Sequence, residues 1–245
     1  MILSNPARQH PIGRLIGLAW GVDLAPVVPL LRPAARLVIA TVERLIRPDW
    51  RDVSKLPAGP AIVVVNHISN VDPVLVGVFL ARNGHWPRFL AKDSLFGVPV
   101  LGRILTAISQ IPVHRGSVEA ADALRDAVAA LADGGYVVIY PEGTITSDPR
   151  LWPMKGRTGA ARLAARTGAP VIPVAQWGAE KILYGKRLGF PAFLPRKPIT
   201  MLVGDPVDLE GLSVDDATER IMARITELVG RVRGEEPPVA YDPDK

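Results

Sequence analysis

A histidine and an aspartate five residues apart are the first candidates for chemistry in this sequence. His67 and Asp72 stand in the segment Asn66–Asp72, directly after the apolar run Ala61–Val65. A histidine is the natural general base near neutral pH, and a neighbouring carboxylate can orient its ring and stabilise the imidazolium. If the segment turns back on itself, the pair could remove a proton from a hydroxyl group. Taken alone, the same spacing also fits a helix cap beside an incidental histidine.

A carboxylate and a small-residue turn follow a second apolar run. The segment Tyr140–Thr144 comes directly after Tyr136–Ile139 and contains Glu142, Gly143 and Thr144. Such a turn at the end of a strand offers a polar ligand an acceptor, backbone N–H groups and a hydroxyl. In isolation the pattern is equally typical of an ordinary turn.

Two cations also stand where apolar runs end. Arg115 follows Ile111–Val113 and precedes a helical pattern, so a phosphate there could meet both a guanidinium and the positive end of a helix. Lys92 stands in the same way after Phe89–Ala91. An exposed arginine in a loop is the alternative interpretation of Arg115.

The elements that would position these residues are strands alternating with helices. The apolar runs are rich in β-branched residues and bounded by Gly, Pro or Asn, which is typical of buried strands. They are Ala61–Val65, Arg88–Ala91, Ile108–Val113, Tyr136–Tyr140, Val171–Ala175 and Ile199–Val203. Helical patterns occupy residues 73–82, 118–133, 156–166 and 215–232. The alternation predicts an α/β fold with a central, mostly parallel or mixed sheet flanked by helices.

The first 48 residues differ from the rest. Residues 15–31 are apolar but interrupted by Pro26 and Pro29, and several arginines follow. A membrane-spanning helix needs about 20 apolar residues without such breaks. We therefore predict an N-terminal amphipathic helix pair that lies on an anionic membrane surface; two ordinary packing helices are the alternative. The expected organisation is residues 1–48 for membrane docking, 49–234 for the main domain and 235–245 for a polar tail.

Composition narrows the function further. The chain has no cysteine, which excludes disulfides, thiol nucleophiles and cysteine metal sites. A net charge of +5 fits nucleic acid, anionic lipid or a phosphorylated substrate. Aromatic residues make up only 6% of the chain and do not alternate with basic ones, which argues against nucleic-acid binding by base stacking. No secretory signal is evident, so a cytosolic position is expected.

Taken together, four segments resemble the motifs of a known family. In order and spacing, the segments Asn66–Asp72, His114–Arg115, Tyr140–Thr144 and Ile172–Val174 are similar to the four sequence blocks of the glycerolipid acyltransferases. The resemblance covers roughly residues 58–205 and is to the 1-acylglycerol-3-phosphate acyltransferase branch. It implies transfer of a fatty acyl group from an acyl thioester, acyl-CoA or acyl carrier protein, to the free hydroxyl of 1-acylglycerol-3-phosphate, giving phosphatidic acid. His67 would be the general base and Asp72 would orient it.

The resemblance also implies binding residues and partners. The acceptor's phosphate would be held by Lys92, Arg115, Glu142, Gly143 and Thr144. Asn66 and Ser69 belong to the same block as His67 and are secondary candidates. No metal and no cofactor are expected beyond the donor substrate, and the protein would be peripheral on the cytoplasmic face of the cell membrane. We expect an apolar groove for the acyl chain near Phe79, Leu80, Leu95 and Phe96.

One position departs from the family pattern. The third block of the family usually continues with arginine, and Ile145 stands there instead. Lys155 or Arg157, shortly downstream, could supply the missing charge. Alternatively, the acceptor is another lysophospholipid with a different headgroup. Two further classes stay open: a hydrolase in which His67 and Asp72 bind a metal or activate water, and a non-catalytic module that binds lipid or nucleic acid.

Overall fold

In a computed structural model, the chain forms a seven-stranded sheet with helices on both faces. The structure describes residues 27, 29–113, 120–186 and 189–238. The strands are β1 (Ile46–Arg51), β2 (Ala61–Val65), β3 (Pro87–Lys92), β4 (Ile111–Val113), β5 (Tyr136–Ile139), β6 (Val171–Trp177) and β7 (Lys197–Val203). The helices are α1 (Arg32–Leu45), α2 (Asp72–Arg82), α3 (Leu101–Ala107), α4 (Ala120–Ala132), α5 (Gly159–Thr167) and α6 (Val214–Arg233).

The strand order places β2 at the centre of the sheet. The order is β1-β7-β6-β2-β5-β3-β4, and every neighbouring pair is parallel except β6 and β7. The predicted α/β fold with a mostly parallel, mixed sheet is therefore confirmed. Because β2, β3, β4, β5 and β6 run in one direction, they end at one edge, which we call the carboxyl edge. Sites in open α/β sheets form at this edge.

Two apolar layers cover the sheet, one on each face, and alternate residues of β2 pack into each of them. All five of its residues are buried, and successive side chains of a strand point to opposite faces. Val63 and Val65 pack in the layer that contains α1 and α2, whereas Ile62 and Val64 pack in the layer that contains α4, α5 and α6. A continuous apolar run is what a strand covered on both faces requires.

The N-terminal part of the fold differs from the prediction. Strand β1 runs across the expected boundary between residues 48 and 49 and pairs with β7, starting at Ile46 opposite Lys197. Helix α1 buries Ile39 and Val42 in the core while exposing Leu37. The rest of the predicted helix pair, and the end of the polar tail, fall on residues outside the described ranges. Among the described residues, no helix combines the length and apolar composition needed to cross a bilayer.

Two elements between β3 and α4 also differ from the prediction. Helix α3 was not predicted, and it ends at Ala107, directly before the apolar run Ile108–Val113 for which a strand is predicted. Strand β4 begins only at Ile111, because Ile108 follows the last turn of α3 and its N–H bonds back to Ile104 O at 3.0 Å. The apolar residues of this stretch are compatible with a helix or a strand, and their periodicity does not distinguish the two.

Candidate active site

His67 and Asp72 meet in the turn between β2 and α2. The His67 Nδ1 lies 2.8 Å from Asp72 Oδ2. The same oxygen accepts the N–H groups of Ile68 at 2.7 Å and Ser69 at 2.8 Å. Asp72 is fully buried as the first residue of α2, where a carboxylate is stabilised by the helix dipole. Val71, rather than Asp72, occupies the cap position.

The geometry assigns different tasks to the two ring nitrogens of His67. If Nδ1–H donates to Asp72, Nε2 is the nitrogen that can accept a proton, as in other histidine–carboxylate pairs. The side chain of His67 is 16% exposed and that of Asp72 is not exposed at all. The carboxylate is thus shielded from solvent while the ring reaches the carboxyl edge.

The turn that follows β5 holds His67 from two further directions. The rings of Tyr140 and His67 stack with centroids 4.2 Å apart and planes at 20°. The N–H of Thr146 donates to His67 O at 2.8 Å. The sequence alone does not predict these supporting roles of Tyr140 and Thr146. The available signal was an aromatic residue directly after a buried strand that is adjacent to β2.

Glu142 lies beneath this turn rather than on its open side. Its Oε1 accepts His67 N–H at 2.9 Å and its Oε2 accepts Met154 N–H at 3.0 Å. Only 3% of the residue is exposed. The pKa of Glu142 is raised to about 7, chiefly by burial; the N–H groups of His67 and Met154 oppose the rise, and the nearby Asp72 adds to it. The expected contact of Glu142 with a phosphate is at odds with this geometry, because both oxygens already bind backbone amides.

Asn66 and Ser69 are likewise turned into the protein. The Asn66 Nδ2 donates to Gln176 O at 3.1 Å, and the Asn66 Oδ1 accepts Gln176 N–H at 2.8 Å. These bonds extend the pairing of β2 with β6 past the end of β2. The hydroxyl of Ser69 donates to Leu183 O at 2.5 Å, and Ser69 is fully buried. Both residues shape the turn and neither is open to a substrate.

A guanidinium lies over the turn at Gly143. Gly143 has φ +70°, and a Cβ there would come within 2.6 Å of Arg157 Nε, so a side chain would strain the backbone and displace the guanidinium. The N–H of Arg157 donates to Pro141 O at 2.8 Å, which ties Arg157 to the same turn. No carboxylate within the described ranges pairs with its side chain, which is exposed. Arg157 is therefore a free cation at the carboxyl edge.

The other predicted phosphate residues are placed less directly. Lys92 is exposed at the end of β3, and its register partner on β4 is Val113. Arg115 falls outside the described residues. Thr144 is half-buried, and Lys155 is exposed just after Met154. Ile145 is only 5% exposed, so the position where the family has a cation holds a core side chain here.

An apolar groove begins beside Asp72. It has a volume of about 410 Å³ and lies between α1, α2, α3 and β3. Its lining includes Val38, Pro73, Val74, Val78 and Leu105. The groove lies against α2, the helix of Phe79 and Leu80 near which a groove was expected, but these two side chains are fully buried in the core and do not line it. Because a helix presents residues three to four apart on one face, Val74 and Val78 line the groove instead.

A second, larger cavity lies away from the candidate residues. It measures about 790 Å³ and is bounded by α6 and the segment after β7, including Asp205, Arg220 and Arg224. None of the candidate residues lines it, so its size does not make it the reaction site. Within the described ranges, no group of three or more metal-ligating side chains is present.

The chain resembles proteins of known activity in sequence and in fold. A chloroplastic 1-acyl-sn-glycerol-3-phosphate acyltransferase of Brassica napus is 29% identical over 71% of this chain and 49% of its own length. The N-acylphosphatidylethanolamine synthase of Arabidopsis thaliana is 30% identical over 64% of this chain and 59% of its own length. The chain thus spans about half the length of these two relatives.

A solved structure has the same fold. The 1-acyl-sn-glycerophosphate acyltransferase of Thermotoga maritima superposes with a TM-score of 0.64 at 21% identity, covering 84% of each chain. The family model described as Acyltransferase matches residues 47–177, which contain the His67–Asp72 pair and the turn that supports it. The chain therefore belongs to the acyltransferase family.

Proposed function

We propose that the protein transfers a fatty acyl group from an acyl thioester to the free hydroxyl of 1-acylglycerol-3-phosphate, which yields phosphatidic acid. The observation that carries the proposal is the 2.8 Å contact of His67 with Asp72 beside an apolar groove. Membership of the acyltransferase family and the name of the Brassica napus relative support it.

The proposed reaction needs one base and an activated donor. His67 Nε2 takes the proton of the acceptor hydroxyl as the oxygen attacks the thioester carbonyl. The new C–O bond forms, the tetrahedral intermediate collapses, and the C–S bond breaks. The imidazolium then protonates the leaving thiolate, so His67 ends the cycle neutral. Asp72 keeps the ring oriented and stabilises its positive charge, and general-base help of this kind contributes about 10²–10⁴-fold.

The acceptor's phosphate would bind to cations at the carboxyl edge. Arg157 is the leading candidate, because it is exposed, carries no ion pair within the described ranges, and crosses the turn that fixes His67. Lys92 is the last residue of β3, and Arg115 comes two residues after β4 in the sequence; both strands end at the same edge. A guanidinium can bind phosphate through two hydrogen bonds. Binding the phosphate away from the reacting atoms would orient the hydroxyl toward His67.

Glu142 would act on His67 rather than on the substrate. Its two oxygens hold the backbone of His67 and Met154, and an anionic phosphate gains nothing from a neighbouring carboxylate. We therefore assign Glu142 as a positioning residue that fixes the start of the β2–α2 turn. The backbone N–H groups and the hydroxyl of the turn at Gly143 and Thr144 are left for the phosphate.

The fatty acyl chain would occupy the groove between α1, α2 and α3. The groove starts at Pro73 and Val74, immediately after Asp72, so a chain lying there would have its carbonyl near His67. The donor would be acyl-CoA or acyl carrier protein, with no metal, no further cofactor and no nucleic acid. The protein would work as a peripheral protein on an anionic membrane, at the cytoplasmic face of the cell membrane.

A second acceptor is favoured by one observation. Ile145 is buried where the family pattern has arginine. One cationic side chain that would bind the phosphate is therefore missing from its usual position. The same chemistry on another lysophospholipid is therefore the second candidate. The Arabidopsis thaliana relative, whose name gives a different acylated product, is in line with variation of the acceptor within the family.

Product analysis tests both candidates. Purified protein is mixed with acyl-CoA or acyl carrier protein thioesters and a panel of lysophospholipids, and products are identified by mass spectrometry. We expect phosphatidic acid from lysophosphatidic acid, and none from the His67→Ala variant. Exclusive use of a larger headgroup would replace the first candidate by the second. Absence of acyl transfer to every acceptor would overturn both.

A further inference from the structure

The segment between β3 and β4 exposes apolar side chains beyond the carboxyl edge. Val98 is 45% exposed, Val100 is 65% exposed and Leu101 is 39% exposed. Among the residues of α3 that are described, Gly102 alone is buried. We call residues 98–104 the α3 projection. Clustered apolar exposure of this kind marks an interaction site rather than a typical surface.

The backbone of the α3 projection is bent so that a valine faces outward. Val100 has φ +68°, a conformation that β-branched residues rarely adopt. A Cβ on Gly102 would lie 1.9 Å from Phe96 O, so the bend also requires a glycine at that position. The conformation brings no burial to Val100. A strained residue that gains nothing from the core is a reason to look for a role in its exposed position.

The outer face of α1 forms a second apolar wall. Leu37 is 68% exposed and Val38 is 53% exposed, and Val38 also lines the groove between α1 and α3. Arg44 stands two turns after Leu37 on the same face of α1, as the helical repeat requires. Three further cations are exposed: Arg36 on α1, Arg103 on α3, and Lys92 at the end of β3. The two apolar walls therefore carry exposed cations at their margins.

We propose that the α3 projection and the outer face of α1 insert together into a bilayer that contains anionic lipids. Apolar side chains would enter the acyl boundary while the cations at their margins bind lipid phosphates, the combination that interfacial elements use. The groove between the two walls would then open into the hydrocarbon layer. The lysolipid acceptor would enter it sideways, without crossing water. This inference rests on the proposed function, whose lysophospholipid acceptor is a membrane lipid.

Vesicle binding of the full chain tests the insertion. The variant Val98→Asp/Val100→Asp changes two exposed residues that do not line the groove, and aspartate tolerates positive φ better than valine. The matched control is Ala129→Asp/Ala165→Asp, which adds the same charge at exposed positions of α4 and α5 in the opposite layer. Binding is measured by co-sedimentation with phosphatidylcholine vesicles, with and without phosphatidylglycerol.

The expected result is specific to the α3 projection. The wild type and the control should bind phosphatidylglycerol vesicles equally, and the Val98→Asp/Val100→Asp variant should lose about tenfold or more in partitioning. Equal binding by all three proteins would overturn the proposal. So would light scattering that shows a wild-type dimer and a monomeric variant, because the apolar walls would then be a contact between two copies of the chain.

A second measurement separates this inference from the proposed function. Short-chain, monodisperse forms of the acceptor and donor do not require a membrane. The Val98→Asp/Val100→Asp variant should turn them over like the wild type, while its turnover of long-chain substrates in vesicles falls along with its binding. If the wild type turns over neither form but its vesicle binding depends on Val98 and Val100, the proposed function fails and the insertion stands.

Discussion

Two turns at the carboxyl edge have similar polar residues but different tasks. The turn after β2 contains the groups that would react, since the ring of His67 is the part that reaches solvent. The turn after β5 contains a carboxylate as well, yet Glu142 is bonded to backbone amides, one of them belonging to His67. The role of a carboxylate at a strand end therefore depends on which groups its oxygens contact. The first turn would carry out the reaction and the second would hold it in place.

Removal of the proposed base in the first turn should have the largest effect on activity. We expect His67→Ala to lower kcat by about 10²–10⁴-fold, because general-base help is lost while the fold is kept. Circular dichroism and steady-state kinetics check both parts. His85→Ala is the matched control, since His85 stacks on Tyr136 with centroids 4.1 Å apart and takes no part in the pair. Near-normal kcat in His67→Ala would refute the assignment of the base.

The second turn is tested by Glu142→Gln. The amide can accept only through its oxygen, so one of the two backbone N–H groups loses its partner and His67 shifts. We expect kcat to fall between about tenfold and a hundredfold, with the KM for the acceptor unchanged. Glu180→Gln is the control, because Glu180 also accepts a backbone amide, that of Gly178 at 2.8 Å. A rise in KM with constant kcat would mean that Glu142 contacts the phosphate after all.

Glu142 should also make the stability of the protein depend on pH. Burial raises its pKa from an ordinary value of 4.5 to about 7 in the folded state, so between these pH values the native state keeps a proton that the unfolded chain releases. Stability from this group is present at low pH and is lost as pH rises toward 7. We expect the free energy of unfolding of the wild type, relative to Glu142→Gln, to fall by about 2 kcal/mol between pH 5 and pH 7. Urea titrations at several pH values measure it, and parallel curves for the two proteins would contradict it.

The smallest expected effect concerns Arg157, whose side chain lies over Gly143 of the second turn. Removing its charge in Arg157→Ala should raise the KM for the phosphorylated acceptor about tenfold, since a hydrogen bond to a charged group is lost. We expect kcat to change less. Lys155→Ala is the control, two residues away and also exposed. Equal effects of the two substitutions would show that the site responds to overall charge and not to the guanidinium over Gly143.

The sequence was sufficient for the parts of the site that depend on local structure. The contact of His67 with Asp72 spans five residues and one turn, so spacing and the apolar run before it were enough. The buried strands were equally clear, because a strand covered on both faces must be apolar throughout.

Long-range partners were not accessible in the same way. Strand β1 has the sequence IRPDWR, which is too polar to be recognised, and it exists because β7 pairs with it some 150 residues later. The acceptor role of Glu142 depends on an amide 75 residues away. Residue type alone suggested a carboxylate facing a ligand, whereas the packing of β2 against β5 turned it inward. Helix α3 was not predicted because Leu101 and Ile104 are exposed, so the stretch lacks the one-sided apolar pattern of a helix that packs on a core.

The position of β2 has a consequence for how the protein loses activity on heating. This strand is hydrogen-bonded on both sides, to β5 and β6, and is covered on both faces. Segments of that kind exchange their amide hydrogens only through global opening, whereas edges and exposed helices open first. His67 follows β2 directly, so fraying of β1 or α3 would leave the reacting groups in place. Inactivation with soluble substrates should therefore coincide with the main cooperative transition instead of preceding it.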